Sequence, residues 1–317
     1  MFALNTTSSF EISHFVLICF PSIQSWQHWL SIPLAFLLVV AIVANITILE
    51  VTRREQRLHE PMYYFLSFLA VLDLILCLTN IPKILAILSF NWMAINMNIC
   101  FLQMYIMNTF LTMQSATFLS MAFDRYMAIC KPLYYHSVIT TRFVAKVIAF
   151  ILFRNLLLGL PYPILAARLH YCFRIAVNHC VCTNVAVTSL SCDDRSINKL
   201  YQLIVGFSLL GTDFIFICLS YFMIIRVVTK LQTKGAAAKA FSTCTSHLIL
   251  ISFFYTILLV WIFTHKLEKI IPPDVPVMFN VLHLLAPPTL NPVVYSIRTK
   301  EIKQGIKRML RESLTVQ

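Results

Sequence analysis

The chain has 317 residues, of which 59% are apolar, 12% are charged and only five are glycine. An ordinary soluble domain carries about 25% charged residues, so this composition excludes one. The net charge of +12 is gathered mainly between apolar runs, which makes it a membrane-topology signal and no evidence for nucleic-acid binding.

Residues 1–28 contain no lysine or arginine. No cationic region leads into an apolar core, so no cleaved signal peptide is expected, and the first apolar run itself directs insertion. Asn5-Thr6-Thr7 is a glycosylation sequon in this tail. Asn45-Ile46-Thr47 fits the same pattern but falls inside an apolar run, out of reach of a glycosyltransferase. Runs long enough to span a bilayer follow near 30–51, 62–89, 99–123, 143–166, 200–225, 247–264 and 275–297. Seven helices place the two termini on opposite sides. The expected architecture is an all-α seven-helix membrane bundle over 29–297, with a tail at 1–28 and another at 298–317.

Basic residues set the orientation. Arg53, Arg54 and Arg57 follow the first run; Arg125, Lys131, Arg142 and Lys146 surround the end of the third. Arg226, Lys230, Lys234 and Lys239 lie between the fifth and sixth, and six more run from Arg298 to Arg311. The opposite loops have Arg168, Arg174, Arg195, Lys199, Lys266 and Lys269, while Lys83 and Arg154 fall within runs. The positive-inside rule then predicts a cytoplasmic C-terminus and an N-terminus outside.

Polar residues within the runs are the functional candidates. Asp73 sits mid-span, where an ionised carboxylate costs about 2.5–3.5 kcal/mol on insertion scales. Asn45 and Asn291 are also mid-span and could hydrogen-bond to it or help hold a sodium ion through oxygen ligands; packing of a neutral carboxyl is the alternative. Asp124 and Arg125 close the third run, where a pair can be solvated, broken and re-formed. Pro292 weakens the seventh helix at one point, and Tyr295 lies near that helix's inner end.

In the outer half of the third run, Asn108 lies about 24 Å above Asp124, with Leu111 and Thr112 on the same face. Met104, Met107, Tyr255, Leu259 and Ile262 could complete an adaptable apolar wall. Ordinary helix packing is the competing reading for each.

Cys100, Cys172, Cys180, Cys182 and Cys192 fall in the predicted outside region, where disulfides are allowed. No C-x-x-C pair with histidines at ligand spacing is present, so no metal site is expected; His170 and His179 read as surface residues. Five is odd, and the residues alone do not assign the pairing.

Several motifs occur in order: L-H-E-P-M-Y (58–63), L-A-V-L-D (69–73), M-A-F-D-R-Y-M-A-I-C (121–130), S-Y (220–221), K-A-F-S-T-C-T-S-H (239–247) and N-P-V-V-Y (291–295). Through them the chain resembles the vertebrate olfactory receptors of the rhodopsin-like family. Phe123 and P-P-T-L-N-P (287–292) resemble its class I, fish-like branch. Two positions depart from the family pattern: Gln114 replaces a usual glutamate, and Ala44 a usual glycine.

The resemblance implies a plasma-membrane receptor in which a small odorant activates a heterotrimeric G protein of the olfactory stimulatory type and raises cAMP, without catalysis or cofactor. It gives Asp73, Asp124, Arg125, Tyr126, Lys239, Asn291, Pro292 and Tyr295 roles in switching and coupling. It pairs Cys100 with Cys182 and Cys172 with Cys192, leaving Cys180 unpaired. By the same resemblance Lys266 faces an acidic odorant; the alternative is a lysine snorkelling to water. A retinal pigment would need a lysine in 275–297, and an amine receptor a carboxylate in the outer half of 99–123; neither is there. A small-solute transporter is the remaining alternative, but Arg154 and Asp213 stand on different runs and no repeat is visible.

Overall fold

The computed structural model describes residues 13–315 apart from 24, 173, 231–233 and 268–269. Its elements in chain order are β1 (His14–Leu17), α1 (Gln27–Arg54), α2 (Pro61–Phe90), β2 (Ala94–Asn96), α3 (Met97–Cys130), α4 (Pro132–Val138), α5 (Thr141–Gly159), α6 (Pro161–Ala167), β3 (Ala176–Val177), α7 (Asn184–Thr188), α8 (Ser196–Gly206), α9 (Thr212–Val228), α10 (Lys234–Lys266), α11 (Asp274–Arg298) and α12 (Lys300–Thr315). Helices α5 and α6 form one span, and α8 and α9 form another through a π-helical turn at Phe207–Gly211.

Six spans are long and apolar enough to cross a membrane by length and composition. The seventh is α3, whose 34 residues fall short only in apolarity. It packs against α2, α5, α9 and α10, and its buried side chains include Gln103, Thr109, Thr112, Gln114, Ser115 and Thr117. A central helix touches neighbours on every side and can hold polar residues inward. Helices at the rim turn Phe36, Val39 and Val43, Phe150 and Phe153, or Phe216, Leu219 and Phe222 outward, as a helix in lipid does. The result is a seven-helix membrane bundle.

Local chemistry sets the helix ends. Asn96 caps α3, its side chain accepting from the Asn98 amide at 2.9 Å. Pro61 and Pro132 open α2 and α4. Asn91 ends α2 in the left-handed region at φ 53°. Gly159 lets α5 lie against α3, because a Cβ there would overlap Thr109 Oγ1.

A three-stranded sheet closes one end of the bundle in the order β2-β1-β3. Strand β1 runs antiparallel to β2, with His14 opposite Asn96, and parallel to β3, with Val16 opposite Ala176. Phe15, Leu17, Cys19 and Phe20 are fully buried, so the chain before α1 forms part of the core at that end. Lys83 reaches out of α2 and donates to the carbonyls of Trp92 and Ala94, both at 2.7 Å.

Three disulfides join this end: Cys100–Cys182, Cys172–Cys192 and Cys19–Cys180. The third corrects the expectation that Cys180 has no partner. Cys19 precedes the first span, far from the other cysteines in sequence, and only the β1–β3 pairing brings it beside Cys180. His179 also differs from expectation, since it is buried whereas His170 is exposed.

Candidate functional site

Three polar layers cross the bundle. At the end opposite the sheet, Asp124 is buried and Arg125 donates to its Oδ2 from Nη2 at 2.5 Å and from Nε at 3.0 Å. Tyr135 of α4 donates its hydroxyl to the other oxygen, Oδ1, at 2.9 Å. Burial, then the adjoining Asp124 carboxylate, pushes the Tyr135 hydroxyl well above its usual range.

Around Arg125 stand Tyr221 of α9, His247 of α10 and Tyr295 of α11, all buried and close enough to feel its charge. The Tyr221 and Tyr295 hydroxyls and both His247 ring nitrogens have no hydrogen-bond partner among the described residues. His247 meets the Tyr295 ring edge-on at 5.5 Å. Tyr126 is half-buried and packs on Phe123. Lys239 belongs to α10, but its side chain lies outside the described residues, as does Asn5.

The middle layer centres on Asp73. Gln114 donates to its Oδ1 at 2.6 Å and Asn291 to its Oδ2 at 2.8 Å. Asn45 does not reach Asp73 and donates instead to the carbonyls of Ala41 at 2.8 Å and Pro288 at 2.7 Å. Pro292 has no N–H, so the Pro288 carbonyl one turn earlier has no helical donor, and Asn45 supplies one from α1. A sodium cage needs oxygen ligands, whereas two amide N–H groups face this carboxylate, and the residues do not fit one. Among the described residues no group of three His, Cys, Asp or Glu side chains could hold a metal.

The third layer holds Tyr255, Ser115 and Asp213. Ser115 donates to Asp213 Oδ2 at 2.8 Å and lies 2.8 Å from the Tyr255 hydroxyl. With Ser115 donating onward, Tyr255 must donate to Ser115. Arg154 stacks over Phe150 at 5.8 Å, and its charge also acts on Asp213. Ser115 thus links Asp213 of α9 to Tyr255 of α10 by way of α3. A serine inside an apolar run gave no signal of this link, and Tyr135 in a loop gave none of its bond to Asp124.

Beyond this layer, towards the sheet, Met104, Met107 and Thr112 are buried and Asn108 and Leu111 half-buried. Asn108 donates to the Met104 carbonyl at 2.8 Å, and Thr112 to the carbonyls of Thr109 at 2.8 Å and Asn108 at 3.2 Å. Tyr255 is buried, whereas Leu259 and Ile262 are 48% and 39% exposed and Lys266 is exposed. The buried face of α10 here carries Phe254 and Leu258.

Comparison with known proteins agrees with this architecture. A family model described as Olfactory receptor matches residues 34–313. The chain is 54% identical to human olfactory receptor 56A4 over 304 residues, 96% of this chain and 97% of that one. It is 55% identical to human olfactory receptor 56A5 over 307 residues, 97% of each. Mouse olfactory receptor 56B34 is 47% identical over 309 residues, 97% of this chain and 96% of the mouse protein. Matched along almost its whole length, this multi-pass membrane chain belongs to the olfactory receptor family of G protein-coupled receptors and is not an enzyme.

Proposed function

We propose that a small odorant, bound among the helices on the sheet side of Tyr255, drives a heterotrimeric G protein of the olfactory stimulatory type and raises cAMP. The receptor works at the plasma membrane with its N-terminus outside, as the placement of lysine and arginine favours. The observation that carries the coupling role is the buried Asp124–Arg125 pair facing Tyr221, His247 and Tyr295, whose polar atoms lack partners among the described residues. Three such groups around one guanidinium give Arg125 other acceptors to turn to once it leaves Asp124.

An agonist that binds the open arrangement better shifts the population towards it, with α10 swinging away from α3 at that end. Met104, Met107, Asn108, Leu111, Thr112 and Tyr255 are the proposed ligand contacts; the expectation for Leu259 and Ile262 is withdrawn, because both lie off the buried face of α10. Lys266, at the exposed end of α10, meets acidic odorants at the mouth. Asp73, Asn291 and Pro292 hold the middle of the switch, while Tyr126 and Lys239 lie on the coupling side. The two family-paired disulfides keep the mouth in shape, and Asn5 is the proposed glycan site.

Arg125→Ala is the test: agonist-dependent cAMP disappears while surface expression persists. Normal signalling from a well-expressed mutant overturns the coupling role. Uptake of labelled odorant into vesicles would point to transport instead.

A further inference from the structure

Helix α11 carries two buried polar side chains that no layer above employs. His283 is 6% exposed, and both its ring nitrogens lack a hydrogen-bond partner among the described residues. Its ring lies between two aromatic residues of α10, with centroids 5.7 Å from Phe254 and 6.4 Å, nearly parallel, from Trp261. Asn280 is 2% exposed, and its Oδ1 likewise has no partner among the described residues. The two are three residues apart on one helix, so their side chains are neighbours on one face. Both point into the bundle.

Buried polar groups are nearly always hydrogen-bonded, and each exception asks what serves it. A neutral imidazole offers one N–H donor and one acceptor nitrogen, and the Asn280 carbonyl offers an acceptor. One group that both donates and accepts bridges the two residues, and a hydroxyl does so: it accepts from the His283 N–H and donates to Asn280 Oδ1. A carbonyl can only accept, which leaves Asn280 unserved. The aromatic faces of Phe254 and Trp261 suit the hydrocarbon beside that hydroxyl.

We propose that His283 and Asn280 form a hydroxyl-reading subsite at the α10–α11 seam, and that aliphatic alcohols are agonists recognised there. The proposal rests on the odorant-binding reading above. It adds a contact on α11 to those on α3 and α10, and a ligand class distinct from the acids assigned to Lys266.

The experiment measures cAMP in cells expressing the full chain, using linear alcohols, aldehydes and carboxylic acids of six to ten carbons. The variants are His283→Phe, which keeps an aromatic ring against Trp261, and Asn280→Leu. Alcohols should activate the unmodified receptor, with an EC50 raised about tenfold by either variant. Aldehydes should lose potency with His283→Phe but not with Asn280→Leu, and acids with neither. His283→Gln, which restores a donor and an acceptor, should recover part of the alcohol response and serves if the phenylalanine variant fails to reach the surface. No response to alcohols, or potencies unmoved by either substitution at normal surface expression, overturns the proposal and makes both residues packing or water-bound groups. If acids still raise cAMP in an Arg125-dependent manner, the receptor reading stands while the subsite falls.

Discussion

The hydroxyl of Tyr135 donates to Asp124 Oδ1 at 2.9 Å, from a short helix outside the membrane spans. Arg125 occupies the other oxygen of the same carboxylate, so Tyr135 anchors one half of the pair proposed to carry coupling. Both arms of the carboxylate are then satisfied only while α4 stays docked.

Tyr135→Phe should therefore loosen the resting arrangement. A hydrogen bond to a charged group contributes about 1.5–3 kcal/mol, and the shared carboxylate limits the loss, so basal cAMP should rise about two- to tenfold. Comparing ligand-free cAMP at matched surface expression checks this; a basal level at or below that of the parent receptor removes Tyr135 from the switch.

The staple Cys19–Cys180 ties the chain before α1 to the loop between the fourth and fifth spans. Removing a native disulfide typically costs about 2–5 kcal/mol, and here the strand β1 it secures is fully buried at Phe15 and Leu17. Cys19→Ser and Cys180→Ser should each reduce surface delivery several-fold and by similar amounts, and the double variant should be no worse than either. Flow cytometry on unpermeabilised cells measures this, and additive losses would show that the two sulfurs act separately.

Gly159 lets α5 pack tightly on α3 at Thr109. Any larger residue must displace Thr109 Oγ1, and overpacking a close-packed core costs about 1–3 kcal/mol. Gly159→Val should lower the melting temperature of the detergent-solubilised receptor by several degrees. Gly206, with nothing near its absent Cβ, is the control: Gly206→Ala should be neutral or mildly stabilising, since alanine suits a helix interior better.

Asp193 accepts from the His170 backbone N–H at 2.7 Å and lies 2.9 Å from its Nδ1. The backbone donor first, then the imidazole, holds this carboxyl below the usual aspartate range. A carboxylate with a depressed folded-state pKa adds stability above its unfolded value, about 3.9, and that contribution is lost as pH falls through the folded value. The loop around Cys172–Cys192 should therefore stay docked from pH 7 to 5 and loosen below about pH 4. The NMR shift of the His170 amide reports this directly; a transition centred above pH 5 would mean that the Asp193 carboxylate does not control the loop.

Six of the spans were legible because hydrocarbon imposes long apolar runs on them, with lipid-facing residues such as Phe150 and Phe216 extending the signal, and α3 was legible from its length despite its inward polar residues. The Asp124–Arg125 dipeptide was visible because charges are rare in such runs. The Tyr255–Ser115–Asp213 layer was not, since a serine within a helix usually bonds its own backbone and its partner here lies 98 residues away. Strand β1 was missed for a related reason: four residues paired across 82 and 160 positions carry no local period. Asn45 was readable as a polar residue in need of a partner, but its target was a carbonyl freed by a missing N–H, which no side-chain pattern announces.

That carbonyl has a mechanical consequence. Asn45 ties α1 to α11 at Pro288, Asp73 ties α2 to α11 through Asn291, and Gln114 ties α3 to the same carboxylate. Four helices are thus riveted at one level near the middle of the bundle and behave as a stator. The proline that would have left α11 compliant is stiffened on the α1 side, so bending there is confined to directions that keep Asn45 in reach. Helix α10 meets α3 at mid-bundle through the Tyr255–Ser115 hydroxyl contact and the Phe118–Phe254 ring pair at 5.3 Å; in the proposed mechanism it is the rotor, and a ligand turns it on that bearing to move the far end.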